Sequence, residues 1–324
     1  MVRRMVLLLT LCSTGCFNGL LLTPTNVDGP VEETVITGAP RRLCRDKIAI
    51  IDVEGMILNM RGSSLFGSGD NPVALFRERL DAAADDKRVK AVVIRINTPG
   101  GAVTASDIMY QDLCRFRELT HKPVVACMMD VAASGGYYLA MGCDRIYAHP
   151  TTVTGSIGVI MSLYNAAGLF GMIGVKSDPI KSGPNKDIGN PGRPMTDEER
   201  AILQAMVNSF YDQFVQVVVK GRHLPEERVR ALADGRVYTG LDAQKLGLVD
   251  EVGYLEDAIH AAMDMACIHD ATVVAYDRCD GYRGSIYAGL PKIPSEISIK
   301  LDVPGLSNHS GAAFLYLWEP GVVR

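Results

Sequence analysis

A mixed α/β fold built on a mostly parallel sheet is predicted by three observations. Short β-branched runs recur along the chain, as in KIAIIDVEGMI (47–57), VKAVVIRIN (89–97) and KPVVACMM (122–129). Stretches with helical spacing separate them, so strand and helix alternate as repeated βαβ units. The second and third strands each run into a glycine-containing turn before the next helix, at TPGG (98–101) and ASGG (133–136). In an open parallel sheet, sites form beyond the carboxyl ends of the strands.

The elements follow in order. Residues 47–57 read as a strand from their β-branched content. Residues 71–86 have helical spacing, with Leu75, Phe76, Arg79 and Leu80 along one stripe. A strand at 89–97 ends in TPGG, a helix spans 105–119, and a third strand covers 122–129. Residues 134–141 are helical and DRIYAHP (144–150) is strand-like. A long helix over 195–219 opens with MTDEER, where Thr196 is the cap and Glu199 stands three residues on. Another helix lies within 252–265. From residue 277 the pattern dissolves into Gly, Pro and Ser until AAFLYLW (312–318), which reads as a docking arm. The expected division is an export signal at 1–15, a tether at 16–45, one folded domain at 46–276 and an extension at 277–324.

Composition narrows the function classes. The formal charge of −4 supplies no attraction to a polyanion, and 6% aromatics leave little for base stacking, so nucleic acid is not an expected partner. No 20- to 50-residue repeat occurs, which argues against a solenoid. No CxxC pair occurs among the eight cysteines, so neither zinc nor another metal is expected. Cys114, Cys127 and Cys143 fall in segments that read as buried, as small apolar core residues. The amino-terminal MVRRMVLLLTLCSTGC has a basic, then apolar, then small-residue layout, which is that of an export signal. STGC resembles a bacterial lipoprotein processing site with Cys16 as the lipidated residue. The rivals are an uncleaved anchor over 5–22 and simple secretion; all three export the chain.

The chemistry centres on Ser134, in DVAASGGYYLA (130–140). Small neighbours let a substrate carbonyl approach a hydroxyl. The two glycine turns, on neighbouring strand ends, can aim two amides at one oxygen, an oxyanion hole in outline. A serine needs a base. His149 is the nearest histidine in sequence, with Asp144 on the same strand, but a turn histidine explains it as well. An amine is the other choice, provided it is neutral, which requires a fall from about 10.4 to near 7–8 by burial. Lys176, Lys181 and Lys186 all lie in one Gly/Pro-rich loop, and spacing does not choose among them.

The motifs RINTPGG (95–101), ASGGYYLA (133–140), GSIGVI (155–160), KSGPNKDIGNPGRPMTDEER (181–200) and GRVYTGLDAQKLGLVDEVG (235–253) occur in that order. Over about 47–253 the sequence resembles the signal peptide peptidase A family of serine proteases. That resemblance implies a Clp/crotonase-like fold and makes 46–276 a protease domain. It implies Ser134 as nucleophile, Lys186 as general base and Ser156 as the hydroxyl that orients the lysine. It implies Gly101 as one oxyanion N–H, with Gly135 as the second, and no cofactor. Thr98 stands where the family commonly has serine. Apolar, membrane-derived peptides with small residues at the cut are the implied substrates, and a membrane-anchored homo-oligomeric ring is the implied assembly. Only one copy of each motif is present, so Ser134 and Lys186 are candidates to meet across a subunit interface. Two rival readings share parts of this pattern. A crotonase-type acyl-CoA enzyme is disfavoured by the export signal, and a silent membrane-protein scaffold by the joint presence of Ser134, Lys186, Ser156 and TPGG.

Overall fold

The computed structural model describes residues 31–37, 45–60, 63–64, 67–68, 70–277 and 314–318. The first half forms β1 (Glu32–Thr37), β2 (Lys47–Glu54), a small hairpin of β3 (Ser63–Ser64) and β4 (Gly67–Ser68), α1 (Pro72–Asp85), β5 (Val89–Thr98), β6 (Gly100–Ala102), α2 (Val103–Thr120), β7 (Val124–Ala133), α3 (Gly135–Ala140), β8 (Arg145–Ala148) and β9 (Val153–Gly155). After these come α4 (Ala167–Met172), a 3-10 turn at Pro184–Asp187, α5 (Asp197–Arg222), α6 (Glu226–Leu232), β10 (Val237–Thr239), α7 (Gly240–Lys245), β11 (Glu251–Val252), α8 (Leu255–Met265), β12 (Thr272–Asp277) and β13 (Leu315–Leu317).

The main sheet runs β1-β12-β2-β5-β7-β8-β11. Every neighbouring pair from β12 to β11 is parallel, as the βαβ pattern predicts. The sheet is buried on both faces, which is why its central strands read as near-continuous apolar runs. Alternate side chains take opposite faces. Ala49, Ile51, Val92 and Ile94 join Phe76, Leu80, Leu113 and Phe214 in the larger core. Ile48, Ile50, Ala91, Val93 and Cys127 pack instead with Leu255, Ala258 and Ala262 of α8.

Local signals end the helices where expected. Asn71 caps α1, its Oδ1 accepting from the amides of Val73 (3.0 Å) and Ala74 (3.4 Å), and Pro72 follows as the first helical residue. Thr196 and Glu199 form the capping box of α5: Thr196 Oγ1 accepts from Glu199 N at 3.2 Å and Glu199 Oε2 from Thr196 N at 3.0 Å. Arg79, on the apolar stripe of α1, is buried because its guanidinium reaches the carbonyls of Tyr276 (3.1 Å) and Asp52 (2.9 Å). Cys127 and Cys143 are buried free thiols, and Cys114 packs at the core edge.

Three segments differ from their sequence reading. Residues 32–37, inside the expected tether, form β1, antiparallel to β12 at the sheet edge; the partner lies some 240 residues away, beyond any local pattern. Strand β7 continues past residue 129 to Ala133, because Ala132 pairs with both Thr98 and Thr154. In the 277–324 extension the docking run at 312–318 does return to the domain, but as a strand, β13, whose partner β6 no local pattern names. The export signal, Cys16, the rival anchor at 5–22, most of the tether, Cys44 and Cys279 lie outside the described residues. No described helix is long and apolar enough to cross a membrane.

Candidate active site

The parallel register brings three strand ends together. Thr98 of β5 pairs with Ala132 of β7, Ala132 with Thr154 of β9, and Ala133 with Gly155. The turns that follow, 98–101, 134–136 and 155–156, therefore converge at the carboxyl ends of these strands. Buried threonines fix them. Thr154 Oγ1 donates to the Ala132 carbonyl at 2.7 Å, and Thr98 Oγ1 donates to the Gly55 carbonyl and accepts from Gly100 N at 3.0 Å.

Ser134 sits at the junction of β7 and α3. Its backbone is at φ 51°, ψ −112°, a region a side chain rarely enters. Such a residue costs about 1–3 kcal/mol and persists only where its surroundings over-determine it. Here both backbone groups are pinned: Ser134 N donates to the Gly155 carbonyl, and the Ser134 carbonyl accepts from Tyr138 N, each at 2.8 Å. The side chain is the opposite case. Ser134 is 1% exposed and its Oγ has no hydrogen-bond partner. A buried hydroxyl without a partner loses its hydration with no return, so the strained turn places it there at a double cost.

Ser156 follows Gly155 directly and also has positive φ (49°). Its amide donates to the Arg236 carbonyl at 2.8 Å and the residue is buried. The bond from Ser134 N to Gly155 O thus places Ser156 in the turn beside Ser134.

Gly101 and Gly135 are positions where only glycine fits. A Cβ on Gly101 would lie 2.0 Å from the Ile57 carbonyl oxygen, because Ile57 brackets the turn, donating to Gly100 O and accepting from Ala102 N at 2.9 Å each. That bracketing turns the Gly101 amide to the opposite side. A Cβ on Gly135 would lie 2.4 Å from Ser106 Oγ and 3.2 Å from Gly101 N. The two glycine amides therefore belong to loops in direct contact, and the Gly135 amide, first of α3, has no intrahelical acceptor.

Lys186 lies elsewhere. It is exposed, on the 3-10 turn, and Ser134 Oγ has no partner, so Lys186 does not reach it within this chain. The residues around Lys186 are held firmly. Asp187 takes Lys181 (2.7 Å) and Arg193 (2.8 Å), and Arg193 also bonds Glu199. The Arg193 hydrogen bonds, then Lys181, hold the Asp187 carboxyl well below its ordinary range. Arg193, with the Thr196 amide, lowers Glu199 to about 2. Lys176, the third lysine of the loop, is likewise exposed. His149 packs against Tyr254, centroids 5.2 Å apart, and burial pushes its pKa down; it is no partner of Ser134.

The backbone contribution of Ile57 and of Gly155 escapes a reading of the sequence, since any residue has an amide and a carbonyl. The aromatic cluster of Tyr138, Phe214 and Tyr316 beside the site, with centroids 4.7–5.1 Å apart, joins three distant segments. The apolar run at 312–318 was its one visible signal.

Comparison with known proteins places the chain among peptidases. The model of peptidase family S49 matches residues 117–269. A candidate signal peptide peptidase SppA of Enterococcus faecium is 39% identical over 245 residues, which cover 76% of this chain and 70% of that protein. The chloroplastic serine protease SPPA of Arabidopsis thaliana is 38% identical over 226 residues, 69% of this chain and 33% of that protein. Protease 4 of Haemophilus influenzae is 34% identical over 231 residues, 71% of this chain and 36% of that protein. The large parallel sheet with its flanking helices is the ClpP/crotonase-like fold of S49 peptidases. The chain is a serine peptidase and belongs to the signal peptide peptidase A family, peptidase family S49.

Proposed function

We propose that this peptidase uses Ser134 as its nucleophile and Lys186 as its base, and that it hydrolyses apolar peptides such as spent signal peptides. The observation that carries the reading is the Ser134 hydroxyl: buried, unpartnered, held by a strained turn, and flanked by the loops of Gly101 and Gly135. The lysine amine takes the Oγ proton as Oγ attacks the carbonyl carbon of the substrate. The Gly101 and Gly135 amides hold the resulting oxyanion. The C–N bond then breaks, the leaving amine receives the proton from the lysine, and water cleaves the acyl-serine by the same route. Ser156 orients the lysine.

Assembly completes the site. Lys186 is exposed in the single chain, and the loop that carries it also exposes Tyr164, Leu169, Met172, Ile173, Val175 and Ile180. An apolar surface of this kind favours cover. A second copy of the chain in a closed ring covers it and delivers Lys186 to the neighbour's Ser134. The desolvation that comes with such cover is what a lysine base requires. Attachment to the membrane through Cys16, after export, places the ring where membrane-derived peptides are released.

A fluorophosphonate probe and a fluorogenic apolar peptide test the dyad. Wild type should label and turn over, Ser134→Ala should do neither, and Lys186→Arg should be as inactive as Lys186→Ala, since arginine cannot deprotonate. His149→Ala should retain turnover. Loss of activity in His149→Ala with activity kept in Lys186→Ala would replace the dyad with a histidine mechanism.

A further inference from the structure

Lys186 sits on a stretch without apolar anchorage. From Gly158 to Glu198 no residue is buried. The two short elements inside that stretch, α4 and the 3-10 turn that carries Lys186, bury no side chain. Apolar packing therefore does not hold this segment, although a general base acts only from a closely defined position. Charged hydrogen bonds hold it instead.

Arg193 is their hub. The Nε and Nη2 edge of its guanidinium donates to Asp187, at 3.0 Å to Oδ2 and 2.8 Å to Oδ1. The Nη1 and Nη2 edge donates to Glu199, with Nη1 reaching Oε2 at 2.9 Å. Asp187 is the residue after Lys186. Glu199 is the first buried residue of α5, 2% exposed, and its Oε2 also closes the capping box. That helix runs to Arg222 and is fixed in the core by Phe214, Val215 and Val218. One planar side chain thus ties the turn of the base to a rigid element through two two-pronged bonds. Isolated surface ion pairs contribute little, but a bidentate bridge with one buried partner is the exception. Lys181 Nζ completes the set, donating to Asp187 Oδ1 (2.7 Å) and to the Pro184 carbonyl (3.2 Å) at the start of the same turn.

The bridge also decides where the charge of Asp187 goes. Both carboxylate oxygens are occupied: Oδ1 by Lys181 and Arg193, Oδ2 by Arg193 and, at 3.4 Å, Asn190 Nδ2. Lys186, its neighbour in sequence, has no ion pair among the described residues. The remaining charged groups near the turn are Lys176 and Asp178, on either side of Ser177, which bonds Asn190, and Arg200 of α5, which lines one cavity with Arg193. A free carboxylate beside an amine favours the ammonium form by about 1–3 pKa units, the reverse of what a base needs.

We propose that Arg193 is the positioning residue of the lysine base: by bridging Asp187 to Glu199 it carries the Lys186 turn on α5 and keeps the Asp187 carboxylate away from the Lys186 amine. The proposal rests on the assignment of Lys186 as base above. Lysine cannot replace Arg193, because a single ammonium lacks the fork that grips two carboxylates at once.

Turnover of a fluorogenic apolar peptide by the full chain, followed as kcat and KM against pH, tests this. The variants are Arg193→Gln, Arg193→Gln with Asp187→Asn, Arg193→Lys and Lys186→Ala, each compared at equal folded and assembled protein. In Arg193→Gln the rising limb of kcat should move to higher pH by about one unit, so that kcat at neutral pH falls about tenfold while KM stays within about threefold. Adding Asp187→Asn should return the limb to its wild-type place, with the plateau still lowered because the bridge is gone. Arg193→Lys, which keeps the charge, covers the case of a poorly folded Gln variant and should lower the plateau. A limb left in place in Arg193→Gln, whatever the height of the plateau, reduces Arg193 to a structural brace and overturns the proposal. So does a limb that moves and fails to return when Asp187 is replaced. Lys186→Ala should be inactive throughout; activity there rejects the base itself, and the role of Arg193 with it, whereas an inactive Lys186→Ala beside an unmoved Arg193→Gln rejects the positioning role alone.

Discussion

Gly101→Ala isolates the oxyanion amide from the nucleophile. The added Cβ would meet the Ile57 carbonyl oxygen at 2.0 Å, with Ile57 C at 2.6 Å and N at 2.7 Å, where ordinary contact begins at 3.4 Å. All three are backbone atoms, so no side chain can swing aside. The turn must move by about 1.4 Å, the shortfall in the closest contact. Ile57 cannot follow freely, since its amide and carbonyl are bonded to Gly100 and Ala102 on either side. The Gly101 amide is thus displaced by more than the tolerance of a hydrogen bond. Loss of one oxyanion donor lowers kcat by roughly 10² to 10³, about 2.7–4 kcal/mol. Overpacking costs about 1–3 kcal/mol of stability as well, so the assay is turnover of a fluorogenic peptide by protein shown to be folded by thermal melting. A folded Gly101→Ala enzyme with kcat within threefold of wild type would refute the oxyanion assignment.

Other perturbations have equally definite outcomes. Asp52 and Arg95 form a buried two-pronged pair (2.6 and 2.7 Å) across β2 and β5; Asp52→Ala should cost about 3–5 kcal/mol in a denaturant titration, by taking the carboxylate away from a buried guanidinium. Asp187 and Glu199 have folded-state pKa values depressed by Arg193, so the stability they contribute is present above the ordinary carboxylate range and lost as pH falls through the depressed values. Amide protection factors across 181–199, referred to the intrinsic exchange rate at each pH, should stay unchanged at pH 5 and fall only below about pH 4. Co-expression of Ser134→Ala with Lys186→Ala chains should restore part of the activity in mixed rings if the dyad forms between subunits; no rescue at any ratio means it forms within one chain. Cys16→Ala should abolish incorporation of radiolabelled fatty acid, and a wild-type chain that stays in membranes without label would point to the 5–22 anchor instead.

Much of this molecule can be read from local chemistry. The parallel sheet shows in VKAVVIRIN, because strands buried on both faces must be apolar throughout, and the start of α5 shows in MTDEER, because a capping box is complete within four residues. Ser134 stands out for the same reason: small residues on both sides of one hydroxyl, between a strand and a helix. Pairing across long separations decided the rest. Nothing in residues 32–37 marks them as the partner of β12, and nothing in TPGG shows that Ile57 turns the Gly101 amide toward the site. The 312–318 run announced that it would dock, since it is apolar, but its destination depends on which backbone edge is open. That edge exists only once β6 and the segment after Ser156 stand apart by the width of one strand, with Tyr138 and Phe214 lining the space between for a ring to enter. A hydrophobic pattern is carried by side chains and repeats along the chain, whereas the site is made of backbone groups whose direction is set by contacts between segments far apart in sequence.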